Sequence, residues 1–239
     1  MDLPPGFPFR DPVSALTHFG FVLPAVYVTL LLCRLTRDDR TKRLSLAVFG
    51  ASMILLYTAS GLYHTIPLPR RSPTVEVFRR LDHSAIYVLI AGTYTPVFAV
   101  LLRGRQRAIL LMAVWGFALA GIAAKWLLPY PPEGLTIALY LALGWLAVVP
   151  ARSIFRAVGG RGIAWGLAGG LCYTIGAMFE YARWPVLVPG LVGWHEVFHV
   201  WVMAGTAFHV GFMLRFVVPF HYSYRSASIG SSLLARRAG

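Results

Sequence analysis

Charge is scarce in this chain, and acidic charge is scarcest. Only 13% of its 239 residues are charged, and Asp and Glu number 9 against 22 Lys and Arg. A soluble domain carries roughly 25% charged residues, so a water-solvated surface around an ordinary core is excluded. Cysteine is nearly missing too. Cys33 and Cys172 stand alone in apolar runs, which excludes a disulfide framework and a thiolate zinc site. No Gly/Ser/Pro linker is long enough to separate domains and no repeat is visible, so residues 1–239 read as one unit. The opening stretch Met1–Pro12 holds Asp2, Asp11, four prolines and only Arg10 as a base. It lacks the basic start and small-residue cleavage site of a leader, and no cleaved signal peptide is expected.

What is abundant is hydrocarbon: 57% of residues are hydrophobic and the mean hydropathy is +0.65. Seven apolar segments, at about 19–34, 44–64, 79–102, 107–128, 134–151, 162–182 and 191–219, each come near the ~20 residues that cross a bilayer. The expected fold class is all-α, a polytopic seven-transmembrane helix bundle. Pro67, Pro69, Pro129, Pro131, Pro132, Pro185, Pro189 and Gly190 punctuate its short loops. The sixth segment carries Gly162, Gly166, Gly169, Gly170 and Gly176, which suits close packing between helices.

The net charge of +13 would suggest nucleic acid in a soluble protein. Here the basic residues sit in loops between apolar spans, so topology and anionic lipid account for them, and no nucleic-acid partner is expected. With alternating spans, 15 Lys and Arg fall on the side of the C-terminus, among them Arg225, Arg236 and Arg237. The other side holds 7, among them Arg70 and Arg71. The positive-inside rule then places the C-terminus in the cytoplasm.

Residues 195–199, His-Glu-Val-Phe-His, open the last span. His195 and His199 share a helical face one turn apart, a spacing that suits two imidazole ligands on one Zn²⁺. The second span ends in Ser60-Gly-Leu-Tyr-His64 and the third begins Arg79-Arg80-Leu81-Asp82-His83. Alternation brings His64, Asp82, His195 and His199 to one depth on one side. Three imidazoles and an open position form the pattern of a catalytic zinc site. Asp82 is then a fourth ligand or the holder of a water, and Ser60 orients Asp82 or donates to a developing oxyanion. Duller roles remain for each: His64 at the interface, Asp82 paired with Arg79 or Arg80, Ser60 bonded to the carbonyl of Leu56. His83 points about 100° from Asp82 and reads as supporting or structural. His209 lies roughly 15 Å deeper than His199, outside any shared metal site, and is expected to line a cavity or, as the favoured role, to bond a neighbouring helix. His18 and His221 read as interfacial. Glu196 completes His-Glu-x-x-His, the zinc-protease signature. Such a protease draws a carboxylate ligand from a later segment, whereas every candidate third ligand here precedes the last span.

In "ASGLYHTIP", "RRLDHSAIYVLIAGTYTPVF" and "HEVFHVWVMAGTAFHVGF" the chain resembles the hemolysin III family of bacterial membrane proteins. That family belongs with the progestin and adipoQ receptors and, more distantly, the alkaline ceramidases. The resemblance covers nearly the whole chain. It implies a seven-helix bundle in the bacterial plasma membrane, with zinc bound by His64, His195 and His199, Asp82 near a zinc-bound water and Ser60 beside it. Two function classes follow. One is a zinc-dependent hydrolase whose partners are membrane lipids and whose substrate is a lipid amide or ester. The other is a receptor or sensor with structural zinc. The family name implies cytolysis, yet a pore-former would be expected to show amphipathic secreted segments, and these spans are nearly uniformly apolar.

Overall fold

The computed structural model describes residues 9–69, 72–128 and 132–221. The first eight residues, Arg70, Arg71, Pro129, Pro131, Arg225, Arg236 and Arg237, which entered the leader, loop and charge expectations, lie outside the described residues. The described chain is helical: α1 (Pro12–Leu35), α2 (Arg40–Thr65), α3 (Pro73–Leu101), α4 (Gly104–Leu127), α5 (Glu133–Gly144), α6 (Ala151–Ala182) and α7 (Trp194–Phe212). The helix starts follow local chemistry. Proline stands in the first turn of α1 and α3, where its missing N–H costs nothing. The Asp39 side chain accepts from Lys42 N at 3.0 Å to cap α2, and Ser72 accepts from Val75 N at 3.3 Å to cap α3. Every helix but α7 begins earlier than its apolar run, most clearly α1, α3 and α6. α1 starts at Pro12 rather than 19, and α3 at Pro73 rather than 79. The extra turns of α1 carry His18, which lies at the site.

Among the described residues six helices are long and apolar enough to cross a membrane, so this is a multi-pass membrane protein. The seven-span expectation falls short at the fifth. There, α5 and the tight turn Trp145–Val148 that follows it make a rod of about 24 Å. Tyr94 is the reason the helix tightens: its hydroxyl donates to the Gly144 carbonyl and accepts from Ala147 N at 3.0 Å. A side chain thus takes over the hydrogen bonds that would extend the α-helix, and Pro150 closes the stretch. α6 breaks at Gly159, whose φ of 68° suits glycine alone; its straight apolar part begins after that break, where the sixth span was expected.

Helices α1, α2 and α3 pack closely around Phe49, Met53 and Tyr57 of α2, and α6 packs along α7. Close approach is bought with small residues. A Cβ on Gly169 would meet the His209 ring at 2.3 Å, and one on Gly176 would meet Trp201 Cβ at 2.9 Å. Gly166 and Gly170 differ from the packing expectation, since nothing lies within 4 Å of a Cβ at either. They border a cavity instead. Outward, Leu23, Tyr27 and Leu30 of α1 and Ile109, Met112 and Leu119 of α4 are exposed, the inverted surface of a protein solvated by lipid tails.

Candidate metal centre

Five helix ends meet at one face of the bundle. The last turn of α2 carries His64, the early turns of α3 carry Asp82, and the first two turns of α7 carry His195 and His199. The start of α1 and the end of α6 close the ring. His64 and His199 are each 1% exposed. One ligand-capable atom from each of His64, His195 and His199 lies within 4.8 Å of the others, so the trio could hold a metal ion. His64 Nε2 and His195 Nε2 are 3.2 Å apart. Tetrahedral zinc with Zn–N of about 2.0–2.1 Å has an N···N edge of roughly 3.3–3.4 Å, close to that distance.

Two carboxylates turn these rings. Asp11 Oδ2 is 3.0 Å from His64 Nδ1, and Glu180 Oε2 is 2.9 Å from His195 Nδ1. A carboxylate accepts, so in the neutral imidazole Nδ1 carries the proton and donates, and each Nε2 is left as a lone pair. Two lone pairs facing at 3.2 Å repel unless a cation sits between them. The donor set therefore fits a nitrogen-preferring divalent ion. His199 Nδ1 is buried without a hydrogen-bond partner; its ring is held by stacking.

The other site residues take definite places. Ser60 is 1% exposed and lies beside Asp82. Both line the same cavity as the three histidines. Arg79 and Arg80 are engaged elsewhere: Arg79 Nε and Arg80 Nε each reach Glu76 at 2.7 Å. Glu196 Oε1 accepts from Ser14 Oγ at 2.7 Å and Oε2 from Gly193 N at 2.8 Å, the reach-back of a helix-capping glutamate.

Three histidine expectations need correction or refinement. His18 is not interfacial but 3% exposed, stacked on His199 with centroids 3.6 Å apart and planes 13° apart, because α1 extends beyond its apolar run. His209 bonds its own helix, Nδ1 to the Gly205 carbonyl at 2.8 Å, while its ring seats on Gly169 of α6 and borders the cavity. His83 lines the cavity too, and its carbonyl accepts from Tyr140 at 2.9 Å. His221 is exposed. Sequence reasoning missed Asp11, Glu180 and His18. Glu180 had a signal: it is the only acid in the apolar segment 162–182, and an ionisable residue in hydrocarbon is functional by default.

From this centre a cavity of about 840 Å³ runs inward among α3, α5, α6 and α7. Its upper end holds Asp82 and the histidines. Its walls are Ile86, Leu89, Val97 and Ile163, and it reaches Ile154 and Phe212. Cavities of this size and apolar lining, with a few convergent polar groups, are typical of small-molecule sites.

The family described as Haemolysin-III related matches residues 9–210. The chain belongs to this family. Its match runs from before Asp11 to beyond His209, and so takes in every site residue named above. The Hemolysin-3 of Bacillus cereus is 33% identical over 208 residues, 86% of this chain and 91% of that relative. The Hemolysin-3 homolog of Bacillus subtilis (strain 168) is 34% identical over 197 residues, 81% of this chain and 88% of that relative. The haemolysin III resemblance read from the three motifs is thus met over nearly the whole chain.

Proposed function

We propose that this haemolysin III-type protein binds one Zn²⁺ through His64, His195 and His199 and hydrolyses the amide or ester bond of a membrane lipid. The observation that carries this reading is the continuity of the histidine trio with the apolar cavity, with Asp82 and Ser60 on its wall. An acyl chain placed in the cavity brings its carbonyl to the histidine end. His64, His195 and His199 would hold the zinc, which when bound would supply Lewis acidity and make a water more acidic. Asp82 receives the water proton on a carboxylate oxygen and passes it to the leaving amine or alcohol. Ser60, beside Asp82 on the cavity wall, orients that carboxylate through its hydroxyl. Glu196 has both oxygens occupied by Ser14 and Gly193, which disfavours the protease reading of His-Glu-x-x-His.

The membrane reading that accompanies this has seven crossings, α5 with its turn being the short one, in the bacterial plasma membrane. Thr136 of α5 lies beside Lys125 at the end of α4, and Ser153 beyond α5 lies beside Gln106 at the start of α4. α5, its turn and the first turn of α6 together therefore run along α4. The C-terminus is cytoplasmic and the metal centre faces outward, by the charge count.

The test is metal stoichiometry and lipid turnover on the same purified samples, given long-chain ceramides and acyl esters in bilayers. One zinc with product release supports the proposal. One zinc without turnover selects the structural-zinc sensor. Dye release from vesicles without either outcome selects the cytolysis that the relatives' names describe.

A further inference from the structure

Asp11 and Glu180 come from the start of α1 and the end of α6, two of the three helices of the ring that supply no histidine to the trio. Asp11 stands at the N-cap position of α1, where a side-chain oxygen ordinarily accepts from the first turn. It makes no such bond. Its carboxylate turns to His64 instead, and its backbone N–H donates to the His64 carbonyl at 3.1 Å. Glu180 sits in the last turn of α6, a carboxylate in an apolar helix with its Oε2 on His195 Nδ1. Both residues border the cavity, and each carboxylate contacts its ring at Nδ1. Both face the backs of the rings.

We infer that Asp11 and Glu180 are the positioning carboxylates of the metal centre. They fix His64 and His195 in the Nδ1–H tautomer and raise the basicity of Nε2. The inference rests on the zinc reading and goes beyond its ligand set. It also orders the two residues. Asp11 Oδ2 is shared, with Arg10 Nε at the same 3.0 Å as His64 Nδ1. A guanidinium on the accepting oxygen withdraws charge from the bond to the imidazole. Glu180 Oε2 carries no second bond among the described residues, so its full charge bears on His195. Glu180 therefore contributes more to metal affinity than Asp11. The third ring, His199, has no carboxylate behind Nδ1 and depends on stacking with His18 for its orientation.

The experiment is zinc affinity of purified full-length protein, by competition with a chromophoric chelator. The visible spectrum of the Co²⁺ form is recorded as a second readout of ligand geometry. Loss of such a bonding partner typically weakens metal binding 10–100-fold. Glu180→Gln is expected in that range, Asp11→Asn below it, and Glu180→Asp, which keeps the charge on a shorter arm, between wild type and Glu180→Gln. Glu196→Gln is the control, an identical neutralisation next to His195 at a residue bonded to Ser14 and Gly193; its affinity is expected to match wild type. The Co²⁺ band should shift in Glu180→Gln and not in Glu196→Gln. Wild-type affinity in Glu180→Gln, or an equal loss in Glu196→Gln, would overturn the inference while leaving the zinc reading intact. Absence of zinc binding in the wild type would end both. If Glu180→Gln is not recovered folded, the ranking of Glu180→Asp against Glu196→Gln decides.

Discussion

Gly166 and Gly170 offer a measurement of how deep a substrate chain reaches. Both border the cavity with nothing within 4 Å of a would-be Cβ, so a larger side chain enters empty space. Gly170 lies ten residues before Glu180, or roughly 15 Å inward from the metal end, and Gly166 roughly 21 Å. Gly170→Leu places four carbons where the acyl chain would lie. Displacing about four methylenes at about 0.8 kcal/mol each costs near 3 kcal/mol, or about 10²-fold in affinity. Chains too short to reach 15 Å should lose nothing, and Gly166→Leu should move the cutoff to longer chains. Helix propensity works in favour of both variants, by about 0.5–1 kcal/mol over glycine. Gly169→Leu is the contrast: its Cβ meets the His209 ring at 2.3 Å, so it should unpack α6 from α7 and lower the melting temperature. The assay is turnover of a series of acyl amides or esters of increasing length in nanodiscs, together with mass spectrometry of co-purifying lipid. A uniform loss at all lengths, or one cutoff shared by both leucine variants, would refute the assignment of this cavity to the acyl chain.

Four further outcomes are expected. His64→Ala, His195→Ala and His199→Ala should each lose most bound zinc by elemental analysis, whereas His209→Ala, whose nitrogen is tied to the Gly205 carbonyl, should keep it. Asp82→Asn should retain zinc but lose 10²- to 10⁴-fold in turnover, the scale of a general base; full turnover at full zinc content would remove Asp82 from the mechanism. Charge reversal of Arg79 or Arg80 should leave turnover within a few-fold of wild type in the same assay, since both pair with Glu76. A C-terminal reporter that is active only in the cytoplasm should be active, and a silent reporter on a correctly inserted protein would reverse the orientation.

The helices were legible because lipid-facing and core positions are both apolar, so long runs stand out without any periodicity. The site was legible for a different reason. Ser60/His64 and His195/His199 are i, i+4 pairs, and alternation of spans is enough to bring them to one level. What escaped was whatever depended on polar turns beyond the runs. α1 begins seven residues before its apolar segment, so Asp11 was left in the opening stretch and His18 at the interface, whereas the first turns of that helix lie against α2 and α7. Stacking of His18 on His199 has no sequence period at all. The fifth span was read too long because Trp145–Val149 is as apolar as the helix before it, while the Tyr94 hydroxyl that ends the helix comes from 50 positions earlier. The glycines of α6 show the same limit: composition shows that small residues are present, but only the neighbouring helix decides which face is packed and which is empty.

The short reach of α5 has a consequence for the surrounding lipid. With its turn it spans about 24 Å, against a hydrocarbon thickness of about 30 Å, and Leu135, Val148 and Val149 along it are exposed. The adjacent α4 and α6 are full-length. Hydrophobic mismatch of this kind thins the bilayer locally, so the leaflet beside α5 should be dimpled, next to a helix that also walls the cavity. Lipids there sit closer to the protein midplane than their neighbours. Thicker membranes would resist that dimple, so acyl-chain length in the host bilayer should tune this protein independently of the chain length of whatever it binds.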